Sequence, residues 1–237
     1  MQRRQSFLSG AAILAGAVAV TKVLGALYKI PLGNLLDSQG MAHFYAAYNV
    51  YNLLLMLSTA GLPLAASRLT ASACALGRQR QARQVFRAAL ALLGSVGLVF
   101  SALMFCLPET MAGVLHDPMA AAAIRVLAPS VLCVCLTSAI RGYTQGLGDM
   151  TPTAVSQIIE SACKLLVGLG LCAFLLRRGA APETGAAGAI AGVTCGTALG
   201  LLFLLWALRR FRPSGCDTPD GLGDTMGALL KIGVPIT

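Results

Sequence analysis

Six stretches of this chain are apolar for long enough to cross a lipid bilayer, and that constrains the fold more than any motif does. They cover residues 7–27, 43–66, 88–107, 119–140, 153–176 and 185–208. A helix needs about 20 residues to cross roughly 30 Å of hydrocarbon. Inside lipid every backbone N–H and C=O must be paired within the segment, so the runs predict helices. A seventh run starts near Thr225 and reaches Thr237 too soon to span. The expected fold is therefore an all-α polytopic membrane protein: a six-transmembrane-helix lobe plus the start of a seventh helix. Composition agrees, with 57% hydrophobic and only 11% charged residues, where a soluble domain carries roughly a quarter charged.

The net charge of +9 would suit a polyanion, but its distribution records topology instead. Arg3 and Arg4 precede helix 1; Arg68, Arg78, Arg80, Arg83 and Arg87 fill the 2–3 connection. Arg141 lies in the 4–5 connection, and Arg209, Arg210 and Arg212 follow helix 6. The opposite connections hold only Lys29, Arg177 and Arg178. The positive-inside rule places the N-terminus and every even-to-odd connection in the cytoplasm, and no nucleic-acid partner is expected. MQRR before an apolar run also suits a signal peptide, with Ala17-Val18-Ala19 resembling a cleavage site. The length of the run and the regular alternation after it favour a retained helix.

The expected organisation is a lobe over residues 1–212, a cytoplasmic linker over 213–224 and a truncated helix over 225–237. The linker, RPSGCDTPDGLGD, has the Pro, Gly and Asp content of an exposed connection. The stretch RLTASACALGRQRQARQVFRAAL predicts helical extensions around Gly77 with arginines near lipid head groups. In helix 6, Gly188, Gly192, Gly196 and Gly200 line one ridge where another backbone can approach closely.

Helix 5 is expected to start at Thr151 as N-cap, with Pro152 first in the helix. Glu160 then lies about 12 Å deep, with Lys164 one turn deeper on the same face. Gln157, Ser156 and Thr153 extend that polar stripe. Ionisable groups at such depth cost about 2.5–3.5 kcal/mol on insertion scales. They either neutralise each other as an i, i+4 pair or line a cavity; the length of the stripe favours the cavity, with the two neutralising each other while it is empty. Lys22 in TKVLGALYKIPLG either snorkels outward or faces the same space, where the helix ends before Pro31. Arg125 is similarly placed near the outer end of helix 4, whose Pro129 should kink it or free a carbonyl. Tyr48, Asn49 and Asn52 share a face of helix 2 with Tyr45. They are either an interfacial aromatic belt or a wet surface for a polar substrate, and the amides favour the second.

No catalytic constellation is present: no HExxH, GxSxG or phosphate loop, and His43 and His116 lack ligand spacing. The eight cysteines contain no CxxC pair, and most fall in the spans as small apolar fillers. No enzyme, metal or cofactor is expected.

Three stretches together resemble one family: ALYKIPLGNLL, YNVYNLLLMLSTAGLPLAASRL and RVLAPSVL…SAIRGYTQGLGDMTPTAVSQIIE. They are similar to the stage V sporulation protein B family. Its members are polysaccharide-biosynthesis exporters in the MOP superfamily, which also holds lipid II flippases and MATE drug antiporters. The resemblance implies two six-helix lobes related by a pseudo-two-fold axis, in a transporter of 12–14 helices working by alternating access. This chain would be its N-terminal half. The implied substrate is a polyprenyl-diphosphate-linked saccharide, a peptidoglycan, spore-cortex or polysaccharide precursor, flipped across the bacterial cytoplasmic membrane. Lys22, Glu160, Lys164, Arg125, Gln157, Tyr48, Asn49 and Asn52 are the candidate cavity residues. Lipid II flippases carry a pattern like SRxLGxxRD in helix 1. Here TKVLGALYK keeps a cation at Lys22 but has Tyr28 and Lys29 for the Arg–Asp, so a role carries over to Lys22 alone. Further expected partners are membrane lipids, cell-wall synthesis proteins and a coupling ion, unless the membrane potential drives transport. The alternatives are a cation-coupled multidrug antiporter, in which Glu160 is essential, and a non-transporting scaffold for cell-wall or sporulation enzymes.

Overall fold

The computed structural model describes residues 7–59, 61–209 and 221–233. The elements are α1 (Phe7–Leu35), α2 (Asp37–Thr59), α3 (Leu62–Ala75), α4 (Gln79–Cys106) and α5 (Pro108–Val114). A 3₁₀ turn at Pro118–Ala120 leads into α6 (Ala121–Gly146). Then come α7 (Thr151–Cys163), a π-helical segment (Lys164–Gly168), α8 (Leu169–Arg177), α9 (Pro182–Leu208) and α10 (Leu222–Gly233). Among the described residues no strand is present. Among the described residues, five stretches are long and apolar enough to cross a membrane: Leu8–Leu35, Gln79–Cys106, Pro118–Gly146, Thr151–Arg177 and Pro182–Leu208. α2 is long enough to span at 23 residues, but its tyrosines, asparagines and histidine make it more polar than the other spans.

α6 and α9 are the most enclosed helices. Ile124, Leu127, Val131 and Ile140 of α6 and Ile190 and Leu204 of α9 are completely buried, with Leu32 of α1 and Leu93 of α4 around them. Large apolar side chains on the perimeter point outward, among them Val23 and Ile30 on α1, Leu98 and Val99 on α4, and Leu202 and Trp206 on α9. Lipid is the solvent that fits such a surface.

The glycine ridge of α9 seats the α7–α8 span. A Cβ on Gly196 would lie 2.6 Å from Glu160 O, and one on Gly188 would lie 2.7 Å from Leu175 Cδ1. A Cβ on Gly192 would overlap the backbone N and Cα of Gly168, inside the π segment. Two helices whose backbones approach this closely exclude side chains from the seam.

Several local expectations are corrected. α1 does not end before Pro31 but runs on to Leu35. The proline ring is on the exposed side while Leu32 and Leu36 are buried, so packing carries the helix through it. The span expected at 43–66 is two helices. Gly61 adopts a left-handed φ of 69°, and a Cβ there would collide with Gly233 O of α10. Pro63, in the first turn of α3, favours a fresh helix start. Thr151 is the first residue of α7 rather than its cap; Asp149 Oδ1 accepts its backbone N–H at 2.9 Å. Near Pro129, which α6 contains without ending, Thr194 Oγ1 of α9 donates to Val126 O at 2.8 Å. Most of the expected linker, 213–220, and the start of the chain with Arg3 and Arg4 lie outside the described residues, as do Arg210 and Arg212. The seventh helix starts at Leu222, slightly before Thr225.

Candidate functional site

The polar face of α7 meets polar groups from three other helices. Glu160 Oε2 accepts a hydrogen bond from the Arg141 guanidinium of α6 at 3.1 Å, and Arg141 Nε donates to Ser156 Oγ at 3.1 Å. Both partners are mostly shielded, with side chains 18% and 28% exposed. Lys164 does not pair with Glu160. Its Nζ donates to Tyr48 Oη of α2 at 3.1 Å. It also lies 4.8 Å from the centre of the Tyr48 ring and 5.0 Å from that of Tyr28 on α1.

These positions follow from the local fold. α6 and α7 form a helical hairpin around Gly148 and Asp149, where Gly148 takes a left-handed φ of 84°. Arg141 and Ser156 are equidistant from that turn, which sets them face to face, and Glu160 follows one turn later on the same side. Tyr28 is fixed by donating to Ala189 O of α9 at 3.0 Å, and Tyr48 stacks on Phe44 at 5.5 Å. The lysine is thus held between two anchored rings. An ammonium over a ring face in a dry setting gains about 2 kcal/mol, less than full pairing with an anion provides.

The structure brings Glu160, Lys164 and Tyr48 together, with Gln157 on the same stripe. Gln157 Oε1 is buried and has no partner among the described residues. Lys22 is exposed on α1, roughly 9 Å along the helix from Tyr28. Arg125 is half exposed at the other end of α6 and approaches Glu109 Oε1 at 4.0 Å. Asn49 and Asn52 lie on an exposed stripe of α2 with Tyr45, Leu53 and Met56, away from the Lys164 contact.

Arg141 and Tyr28 escaped the reading of the sequence. Arg141 looks like a topology marker at a helix end, yet α6 continues to Gly146 and draws it inside. Its symmetry with Ser156 about the hairpin turn is the signal that could have found it. Elsewhere in the fold, His43 Nδ1 lies within hydrogen-bonding distance of Asp117 Oδ2, at 2.6 Å. The pair borders a pocket of about 550 Å³ that Gln39, His116 and Glu183 also line. Among the described residues, no group of His, Cys, Asp and Glu is arranged to hold a metal ion.

Comparison with known proteins gives the same architecture. The chain is 29% identical to stage V sporulation protein B of Bacillus subtilis (strain 168) over 99% of its own length and 46% of that protein. It is 26% identical to the lipid II flippase MurJ of the same organism, over 72% of this chain and 33% of that one. The chain therefore spans less than half the length of these relatives. A crystal structure of a MATE protein in the straight conformation superposes with a TM-score of 0.80 at 16% identity, covering 97% of this chain and 51% of that chain. At that identity the likeness shows the fold, an all-α polytopic membrane lobe. Residues 7–231 match the family described as polysaccharide biosynthesis protein, and the chain belongs to that family.

Proposed function

We propose that this chain forms one lobe of a flippase that moves a polyprenyl-diphosphate-linked saccharide from the inner to the outer leaflet without bond chemistry. The observation that carries the reading is the charge of the interior cluster. Arg141 and Lys164 stand with a single carboxylate, Glu160, and that carboxylate is already bonded to Arg141. Among the described residues, the lysine has only a phenol and two ring faces. A site with one positive charge in excess inside a membrane favours an anionic guest, and a phosphate offers short, charge-assisted hydrogen bonds. The relative named as a lipid II flippase supports the same class of substrate. Gln157 Oε1 adds an acceptor that a sugar hydroxyl would satisfy. Lys22, Asn49, Asn52 and Arg125 border the route rather than this cluster, on faces that a second lobe or the membrane surface would cover.

The arginines exposed on the α3–α4 hairpin, Arg78, Arg80, Arg83 and Arg87, favour a cytoplasmic position for that end and for the N-terminus. With the inside negative, each negative charge carried outward gains about 2.3 kcal/mol per 100 mV. The membrane potential can therefore drive an anionic headgroup without a coupling ion. The rival reading, a cation-coupled drug exporter, needs an acidic site, and the pairing of Glu160 with Arg141 weighs against it.

The test is translocation of an undecaprenyl-diphosphate saccharide by the full-length protein in proteoliposomes, with and without an imposed potential. Movement above protein-free vesicles, faster with the inside negative, is the expected result. No movement in vesicles that do expel a cationic dye would transfer the case to the drug exporter. Inactivity toward both would favour a scaffold for cell-wall enzymes.

A further inference from the structure

The ion pair between α6 and α7 is not where a purely structural bridge would be cheapest. Glu160 has Lys164 one turn away on its own helix, yet its carboxylate crosses to Arg141, while Lys164 is left to tyrosines. The guanidinium is held at two points, by Ser156 Oγ through Nε and by Glu160 through Nη2. A guanidinium oriented in this way, with a planar fork of donors, is built to receive an oxyanion. A carboxylate is the closest match among side chains to a phosphate oxygen pair.

The geometry points to a second phosphate seat made by Arg141 and Ser156, which Glu160 fills as a resident counter-ion until the substrate's phosphate takes its place. The inference rests on the flippase reading above and deepens it. Lys164 is the seat open to the incoming anion; Arg141 is the seat that must be exchanged. When phosphate binds Arg141, Glu160 is released within one helical turn of Lys164, and the α6–α7 tie passes from the protein's own carboxylate to the substrate. An internal competitor lowers apparent affinity by the fraction of time it occupies the seat. It also helps to expel the bound anion at the end of the cycle, because Glu160 reclaims Arg141.

The experiment measures binding of farnesyl diphosphate, with farnesol as the uncharged control, to the full-length protein in nanodiscs. Glu160→Gln keeps the shape of the side chain and removes the competing charge. It should bind the diphosphate about tenfold more tightly than the wild type. Glu160→Asp, which keeps the charge but shortens its reach, should fall between the two, so a folding defect in one variant does not decide the matter. Arg141→Gln should bind more weakly than the wild type, and adding Glu160→Gln to it should bring no gain. Unchanged or weaker binding in both Glu160 variants would overturn the proposal, since a structural bridge predicts a loss on either side. If the wild type binds the probe through Lys164, as a loss in Lys164→Gln would show, but neither Glu160 variant tightens it, only the exchange idea fails. If the wild type does not bind the diphosphate in preference to farnesol, the flippase reading fails with it.

Discussion

At the scale of single residues, the cluster separates two ways of holding a cation inside a membrane. Arg141 has a carboxylate and a hydroxyl; Lys164 has a phenol and two ring faces. The second arrangement leaves charge for a guest, so Lys164→Gln should lower affinity for a diphosphate lipid roughly thirtyfold or more, as removal of one member of a shielded charge pair does. Tyr48→Phe removes the hydroxyl acceptor but keeps the ring over the ammonium, and only a few-fold change is expected. Binding in nanodiscs checks both, and an equal loss in the two variants would mean that the phenol is needed as much as the lysine. Glu160 and Lys164 could be picked out of the sequence because charged residues are costly in an apolar run. Their partners could not, because Arg141 reaches Glu160 across a hairpin and Tyr28 reaches Lys164 from a helix more than a hundred residues away in sequence. Helical periodicity records which residues share a face and says nothing of which helix that face will meet.

At the scale of elements, the seam between α9 and the α7–α8 span sets the height and rotation of the whole polar stripe. Its closest point joins Gly192 to Gly168, at the end of the π turn that begins with Lys164. π turns hold one extra residue and are common near functional sites; here the turn begins at Lys164, the last residue of the charged stripe. Gly192→Ala places a methyl group on the backbone of Gly168 and should cost about 1–3 kcal/mol through overpacking. The expected result is a lower melting temperature in detergent. Gly16→Ala, where an added Cβ meets nothing within 4 Å, should leave it unchanged. A stable Gly192→Ala protein would mean that the seam is looser than its geometry implies. The fourfold spacing of the glycines made this seam readable in advance. The π turn was not readable, because no residue type in Lys164–Gly168 encodes it. The break at Gly61 and Pro63 was missed for a different reason: apolar residues continue across it, and hydropathy is blind to a left-handed φ.

At the scale of the whole molecule, the exposed faces of the lobe differ in what they ask of their surroundings. Leu98 and Val99 on α4 are content in lipid. The exposed stripe of α2 presents Asn49 and Asn52 among Leu53 and Met56, and amides in hydrocarbon are costly unless they meet water or protein. The chain also spans less than half of its relatives, and transporters of repeated-lobe design close a path between two such surfaces. On the proposed flippase reading, the α2 stripe fits the wall of that path, while the α4 face fits the bilayer. A bulky residue distinguishes the two. Asn52→Trp in the full-length protein should abolish most translocation by filling the path, with expression and melting temperature retained. Leu98→Trp, equally large and also at an exposed position, should leave translocation within about twofold, because Trp is well tolerated where membrane meets side chains. Measured side by side in proteoliposomes, loss in both variants would mean that α4 also borders the path. Loss in neither would turn the α2 stripe into an interfacial belt and move the route to another face of the lobe.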